Sequence, residues 1–153
     1  MVSQIFTTQN TEETRRLAGQ IGKDLKSLPA SWRGGKILAL YGELGSGKTT
    51  FVQGLARGLG IKRRILSPTF ILVRSYPLKD SELPTLYHID LYRLHSTKEA
   101  RSLGLEEIWR NPQNICAIEW AEKIKEILPK ERWEIHFEYE NESKRRITIF
   151  RRS

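Results

Sequence analysis

Apolar residues recur at helical spacing in the first part of the chain. Between positions 10 and 28 they share one helix face, and they are Leu17, Ile21, Leu25 and Leu28. Asn10 is a suitable cap for this helix, and Glu13 stands at the capping-box position three residues later. The pattern therefore predicts an amphipathic helix over residues 10–28.

A strand that runs directly into a second helix is predicted next. Residues 36–41 form a short apolar run, and Gly42 ends it. From residue 47 to about 59, apolar positions again recur at helical spacing. Two further runs, at 70–76 and 86–93, are typical of strands. Strand and helix thus alternate in this half of the chain.

The middle of the chain predicts a short helix, a buried strand and another helix. Residues 96–99 form a capping box that opens a short helix, which Gly104 ends. The continuous apolar run in 114–120 is typical of a strand that is buried on both faces. We expect a helix to follow and to end at Pro129, with its apolar face formed by Ile124, Ile127 and Leu128.

A hairpin is predicted at the end of the chain. Residues 132–140 alternate strictly, with the inward positions Trp133, Ile135, Phe137 and Tyr139. Residues 144–151 are predicted to pair back on this strand across the turn 141–143. The fold class is therefore α/β, with a mixed β-sheet flanked by helices and a C-terminal antiparallel hairpin. The length of 153 residues fits one domain, which we place over 1–153.

The charge of the chain favours partners that carry phosphate. Lys and Arg number 26 against 18 Asp and Glu, which gives a net charge of +8. Two basic triplets stand out, at 62–64 and 144–146, and neither has aromatic residues between its cations. This pattern suits contact with a phosphate backbone better than recognition of bases. A basic surface that is simply solvated is an equal alternative.

Several absences favour a cytoplasmic protein. The apolar runs are too short to cross a bilayer, so we expect no membrane association. The first residues contain no segment with the features of a signal peptide. Cys116 is the one cysteine, which excludes an internal disulfide and suits a reducing compartment. Because it lies within an apolar run, we expect Cys116 to be an unreactive core residue.

A phosphate-binding loop is the strongest chemical signal. Residues 42–49 read Gly-Glu-Leu-Gly-Ser-Gly-Lys-Thr and match G-x-x-x-x-G-K-[ST] in full, between a predicted strand and a predicted helix. Such glycines let backbone N–H groups surround phosphate oxygens, and the helix N-terminus adds positive charge. The predicted nucleotide-binding residues are Glu43, Leu44, Gly45, Ser46, Gly47, Lys48, Thr49 and Thr50. The motif thus predicts a P-loop NTPase fold.

Within this loop, Lys48 is placed to reach the β- and γ-phosphates, and the Thr49 hydroxyl to bind Mg²⁺. No Asn-Lys-x-Asp stretch is present to recognise guanine, so the expected cofactors are ATP and Mg²⁺. Two carboxylates are candidates to support the metal, because each follows an apolar strand. Glu119 has the more apolar strand before it, and Asp90 the more polar one. An exposed surface charge is the alternative for each.

Other residues carry weaker signals. Thr69 lies in the loop between the P-loop helix and the next strand, where nucleotide switches contact the γ-phosphate. Trp120 follows Glu119 and is a candidate for stacking on a base or a partner, with a place at the rim of the core as the alternative. No metal-ligand spacing joins the three histidines, which are His88, His95 and His136.

In this order the motifs resemble the TsaE family, the small P-loop ATPases of bacterial tRNA threonylcarbamoyladenosine synthesis. The likeness rests on the P-loop 42–50, on Ser-Pro-Thr-Phe at 67–70, on His-Ile-Asp-Leu-Tyr-Arg at 88–93 and on Ile-Glu-Trp at 118–120. The Glu-Glu-Thr ending at Thr14 also resembles the opening of the family. The resemblance spans nearly the whole chain.

The resemblance implies a role for each candidate residue. Lys48 would contact the phosphates, and Thr49 and Glu119 would hold Mg²⁺. Asp90 would be the acid near the attacking water, and Thr69 would belong to a switch-like loop. The implied partners are TsaB and TsaD, of which TsaD transfers threonylcarbamoyl to adenosine 37 of tRNA. Contact with tRNA would be indirect, through that complex.

We expect the isolated chain to hydrolyse ATP slowly, because no motif places an arginine at the γ-phosphate. Two other functions use the same loop. A small-molecule kinase would need an acceptor pocket, for which no signature is visible. A non-catalytic nucleotide-sensing module would bind ATP without turning it over.

Overall fold

Seven strands form one mixed sheet in the computed structural model, which describes residues 3–29, 36–66, 72–78 and 85–152. The strands are β1 (Ser3–Thr8), β2 (Lys36–Tyr41), β3 (Val73–Pro77), β4 (Thr85–Asp90), β5 (Ile115–Glu119), β6 (Arg132–Tyr139) and β7 (Arg145–Arg152). The helices are α1 (Thr11–Lys26), α2 (Lys48–Gly58), α3 (Thr97–Ser102) and α4 (Leu105–Arg110), with a 3₁₀ helix at Ala121–Ile124. The order of the strands in the sheet is β1-β7-β6-β2-β5-β4-β3.

The centre of the sheet is parallel. Strand β2 pairs in parallel with β5 on one side and β6 on the other, and β4 pairs in parallel with β5. All five residues of β5 are buried, as its continuous apolar run predicts. The outer pairs β1–β7, β6–β7 and β3–β4 are antiparallel. The predicted α/β class, with a mixed sheet and a C-terminal hairpin, is confirmed.

Two apolar layers cover the two faces of the sheet. Alternate residues of β2 point to opposite faces, so that Leu38 joins one layer and Ile37 joins the other. The first layer includes Leu55 of α2 and the second includes Leu105 of α4. Helices α1 and α2 therefore lie on one face, and the later helices lie on the other. No helix among the described residues is long and apolar enough to cross a membrane.

The predicted N-terminal cap of the first helix is confirmed. Asn10 caps α1 through its side-chain oxygen, which accepts a hydrogen bond of 2.9 Å from the Glu13 N–H. The Glu13 carboxylate in turn accepts one of 2.7 Å from the N–H of Gln9. The predicted strand over 36–41 and the predicted helix after the P-loop are confirmed with nearly the same bounds.

The prediction of a helix that ends at Pro129 is wrong. The chain forms a 3₁₀ helix at Ala121–Ile124 instead. The backbone hydrogen bonds there join residues three apart, as in a 3₁₀ helix: the Lys123 N–H donates to the Trp120 carbonyl oxygen at 3.1 Å, and the Ile127 N–H donates to that of Ile124 at 3.0 Å.

Other bounds also differ from the prediction. Strand β4 ends at Asp90 rather than at 93, and the side chain of Asp90 turns back to accept a hydrogen bond of 2.9 Å from the Tyr92 N–H. The strand predicted over 70–76 is β3 at Val73–Pro77, and residues 70 and 71 lie outside the described ones. Tyr139 is exposed at 48%, not inward, because it turns toward the P-loop. Strand β1 and helix α4 have no counterpart in the prediction.

Candidate nucleotide-binding site

The P-loop connects the end of β2 to the start of α2, as its sequence predicts. Its glycines adopt left-handed backbone angles, with φ of 76° at Gly45 and 109° at Gly47. A Cβ atom added to Gly45 would lie 2.8 Å from the hydroxyl oxygen of Tyr139, and the left-handed backbone at Gly45 would strain any L side chain. Gly47 caps α2 without a side chain, which leaves the first N–H groups of the helix available to an anion.

Lys48 folds back over the loop. Its Nζ donates hydrogen bonds to the carbonyl oxygens of Gly42, at 2.5 Å, and of Glu43, at 2.9 Å. The same Nζ lies 4.2 Å from the centroid of a Trp120 ring. Burial lowers the pKa of the Lys48 ammonium, and nearby carboxylates, Glu119 first among them, partly offset this effect. The cation is thus held at the phosphate end of the loop.

Thr49 and Glu119 meet at the carboxyl end of the central strands. The Thr49 hydroxyl lies 3.0 Å from each carboxylate oxygen of Glu119 and donates to this carboxylate. Asp90 pairs with Glu119 in the parallel register of β4 and β5, so the two acids stand side by side. They are 5% and 3% exposed, which excludes the alternative of a surface charge for either. The structure therefore brings Lys48, Thr49, Asp90 and Glu119 together.

These donors fit a magnesium ion. A hydroxyl and carboxylates are hard oxygen ligands, which Mg²⁺ prefers over nitrogen or sulfur. Mg²⁺ is commonly bound by one or two protein carboxylates together with phosphate oxygens and water. Within the described ranges, no cluster of three or more His, Cys, Asp or Glu offers an all-protein metal site. Thr49 and Glu119 would therefore hold the ion together with a nucleotide phosphate.

A cavity of about 230 Å³ opens beside these residues. It is lined by Leu44, Gly45, Gly47, Lys48, Thr49, Thr50, Asp90, Tyr92, Glu119 and Trp120. Trp120 has a left-handed backbone with φ of 60°, which turns the chain after β5. Its ring packs on Tyr92 with 5.2 Å between centroids, so Trp120 forms one wall of the cavity and also contacts the edge of the core.

His88 belongs to this site but is not among the predicted site residues. It is fully buried, and its Nε2 lies 2.5 Å from Oε2 of Glu119. The sequence contains one signal for it, because residues two apart in a strand share a face and His88 precedes Asp90 by two. Nothing local indicates the contact with Glu119, which is 31 positions away.

The C-terminal hairpin supports the P-loop from outside. The hydroxyl of Tyr139 donates to the carbonyl oxygen of Leu44 at 2.7 Å. The Arg145 guanidinium donates to the carbonyl oxygens of Ser46, at 3.2 Å, and of Gly45, at 3.4 Å. Arg145 also lies over the Tyr139 ring, 4.3 Å from its centroid. Sequence patterns do not reveal this support, since about 100 residues separate the partners.

Replacing Arg145 by alanine is expected to weaken nucleotide binding by up to about a hundredfold. The variant loses hydrogen bonds to two loop carbonyls, and a net hydrogen bond contributes about 0.5–1.5 kcal/mol. Arg146→Ala is the matched control, because Arg146 is the exposed neighbour. Titration calorimetry with ADP measures both variants. Equal affinities in the two variants would contradict a supporting role for Arg145.

The other basic triplet lies at the opposite end of α2. Residues 62–64 line a cleft of about 700 Å³ together with Arg15 and Arg57. Glu12 lies 3.5 Å from Arg15 and 3.2 Å from Arg57, and so pairs with both arginines. The two triplets therefore serve different regions, one at the P-loop and one remote from it.

Two predicted residues remain. Thr69, with the rest of 67–71, lies outside the described residues, so its part in the site stays a prediction. Cys116 is buried in β5, and burial raises the pKa of its thiol to about 12. The thiol therefore stays protonated at neutral pH, which confirms it as an unreactive core residue.

Comparison with known proteins finds one family over most of the chain. The family model of the threonylcarbamoyl adenosine biosynthesis protein TsaE matches residues 8–147. The chain is 43% identical over 144 residues to tRNA threonylcarbamoyladenosine biosynthesis protein TsaE of Bacillus subtilis strain 168, covering 94% of this chain and 83% of that protein. It is 34% identical over 142 residues to the TsaE protein of Treponema pallidum strain Nichols, covering 93% and 96%.

A solved structure has the same fold as this chain. The crystal structure of Bacillus subtilis YdiB superposes with a TM-score of 0.76 at 32% identity, and the match covers 99% of this chain and 87% of that one. The family model alone spans far more than half of the sequence. The chain belongs to the TsaE family of tRNA threonylcarbamoyladenosine biosynthesis proteins.

Proposed function

We propose that this chain is a Mg²⁺-dependent ATPase that acts on the TsaB–TsaD complex and so supports threonylcarbamoyladenosine formation at position 37 of tRNA. The observation that carries the proposal is the meeting of the P-loop with a buried hydroxyl–carboxylate pair, since Thr49 lies 3.0 Å from Glu119. Membership of the TsaE family supports the tRNA pathway and a place in the cytoplasm. The TsaB–TsaD partnership is proposed from the family resemblance.

Phosphate binding is assigned to the loop and to the start of α2. Backbone N–H groups there would donate to the phosphate oxygens. The Lys48 ammonium would exchange the carbonyl oxygens of Gly42 and Glu43 for the β- and γ-phosphates, a short movement because it already lies at this end of the loop.

Metal and water are assigned to the acids. Thr49 and Glu119 would hold Mg²⁺, which neutralises charge that develops on the transferred phosphoryl group. Asp90, next to Glu119 in the sheet register, would orient the attacking water, with Thr69 contributing from its loop. The burial of both acids excludes much of the solvent around them and strengthens their electrostatic effect.

Slow turnover by the isolated chain follows from the lining of the cavity. Among the described residues that line it, Lys48 is the single cation. Fast phosphoryl transfer usually also needs an arginine at the γ-phosphate, which contributes a factor of about 10³–10⁵ in rate. A partner that supplies or orders such a group would accelerate hydrolysis. We therefore propose a switch that TsaB and TsaD complete.

Nucleotide-dependent assembly tests this proposal. The chain, TsaB and TsaD are mixed with ATP and Mg²⁺, with GTP and Mg²⁺, or with ATP and EDTA, and complexes are separated by gel filtration. We expect assembly with ATP and Mg²⁺ and a marked loss with GTP or EDTA. Assembly that ignores the nucleotide would contradict a switch. Release of ADP that depends on an added small-molecule acceptor would instead identify a kinase.

A further inference from the structure

The buried contact between His88 and Glu119 assigns a function to a residue outside the P-loop. We propose that His88 is a positioning residue for Glu119, and this inference rests on the proposed Mg²⁺ site. Nε2 of His88 lies 2.5 Å from Oε2 of Glu119, and the ring is the donor of this hydrogen bond because an ionised carboxylate only accepts. This bond holds the carboxylate toward Thr49 and the phosphate end of the cavity.

Two elements hold the Glu119 carboxylate. From α2, the Thr49 hydroxyl lies 3.0 Å from both of its oxygens. From β4, His88 reaches Oε2 alone, from a position opposite Ala117 in the register with β5. Among the described residues, Oε2 therefore has two hydrogen-bond partners, Thr49 and His88, whereas Oε1 has Thr49 as its partner. Glu119 has little freedom to rotate away from a metal bound at Thr49.

The contact with Glu119 determines which ring nitrogen of His88 donates. An ionised carboxylate only accepts hydrogen bonds, so the proton of this contact lies on Nε2 of His88. Nδ1 of His88 is buried and has no hydrogen-bond partner among the described residues. The hydrogen bond of the ring is therefore directed to the Glu119 carboxylate.

Metal ligands are generally oriented by a second hydrogen-bonding partner in this way. Loss of such a partner typically weakens metal affinity about 10–100-fold. The same loss here is expected to leave nucleotide affinity in the absence of metal unchanged, because His88 does not line the cavity. This split between the two affinities separates positioning from simple packing.

The first test is the Mg²⁺ dependence of ADP binding, measured by titration calorimetry in Mg²⁺ and in EDTA. His88→Leu removes the donor, and His88→Gln is the matched variant that retains an N–H near Nε2. We expect His88→Leu to need about 10–100-fold more Mg²⁺ with unchanged affinity in EDTA, and His88→Gln to recover most of the loss. Equal Mg²⁺ requirements in wild type and His88→Leu would overturn the proposal.

The second test needs neither metal nor activity. Long-range ¹H–¹⁵N NMR of the nucleotide-free wild-type chain at neutral pH reports the tautomer of each histidine, and loss of one set of signals in His88→Gln assigns His88. We expect a proton on Nε2, and an Nε2 without a proton would overturn the proposal even if His88→Leu does not fold. Absence of any Mg²⁺ effect on ADP binding by the wild type would refute the proposed function instead, and the tautomer would still test the contact.

Discussion

Replacing Lys48 by alanine is expected to lower the rate of ATP hydrolysis by about 10²–10³ and to weaken ATP binding about 10–100-fold. Lys48 is the single cation among the described residues that line the cavity, so no neighbour there replaces its charge. Its ammonium group donates hydrogen bonds to the two loop carbonyl oxygens of Gly42 and Glu43, and alanine removes both. The fold should survive, because the core layers do not include Lys48.

Calorimetry with a non-hydrolysable ATP analogue measures the binding, and release of inorganic phosphate measures the rate. Lys62→Ala is a matched control, because it removes an exposed lysine at the far end of α2. Circular dichroism verifies that both variants are folded. Unchanged turnover in a folded Lys48→Ala variant would contradict the assignment of the cavity to ATP phosphates.

The second large effect distinguishes the role of Glu119 from that of Asp90, the two buried acids of the site. Glu119→Gln is expected to raise the Mg²⁺ concentration needed for activity at least tenfold, since it removes a charged ligand that contacts Thr49. Asp90→Asn is expected to lower the maximal rate by about 10²–10⁴ at saturating Mg²⁺, as loss of a proton acceptor for the attacking water would. Both substitutions keep the size of the side chain, so differences report charge rather than packing.

Hydrolysis rates over a range of Mg²⁺ concentrations distinguish these effects, with each variant serving as the control for the other. The KM for ATP in saturating Mg²⁺ should change little in either case. If Asp90→Asn alone shifts the Mg²⁺ requirement, the two acids have exchanged roles. If neither variant alters the rate or the requirement, the metal site lies elsewhere.

Local sequence patterns predicted those parts of the site that depend on neighbours in the chain. The P-loop needs glycines at fixed positions between a strand and a helix, and it was therefore visible from 42–49 alone. The apolar run before Glu119 predicted a buried central strand, and this placed the carboxylate at the right edge of the sheet. The predicted pairing of β6 with β7 likewise follows from alternation and a short turn.

Contacts between distant segments could not be predicted in this way. The hydrogen bonds from Arg145 and Tyr139 to the P-loop depend on the sheet order, which puts β6 beside β2. The bond between His88 and Glu119 depends on the register of β4 with β5. Strand β1 could not be predicted because five of its six residues are not buried, so it lacks an apolar pattern. Its strand conformation depends on the pairing with β7. The apolar positions Ile124, Ile127 and Leu128 have helical spacing, which does not distinguish an α-helix from the 3₁₀ helix that the chain forms at Ala121–Ile124.

We propose that this chain is a slow ATPase whose site is completed by TsaB and TsaD. Steady-state ATP hydrolysis tests this proposal when it is measured for the chain alone, then with TsaB and TsaD, and then with tRNA added. We predict slow turnover by the chain alone and a clear increase with TsaB and TsaD, which Lys48→Ala abolishes. Fast hydrolysis by the chain alone, with no response to TsaB, TsaD or tRNA, would contradict the account and favour a self-sufficient phosphotransferase.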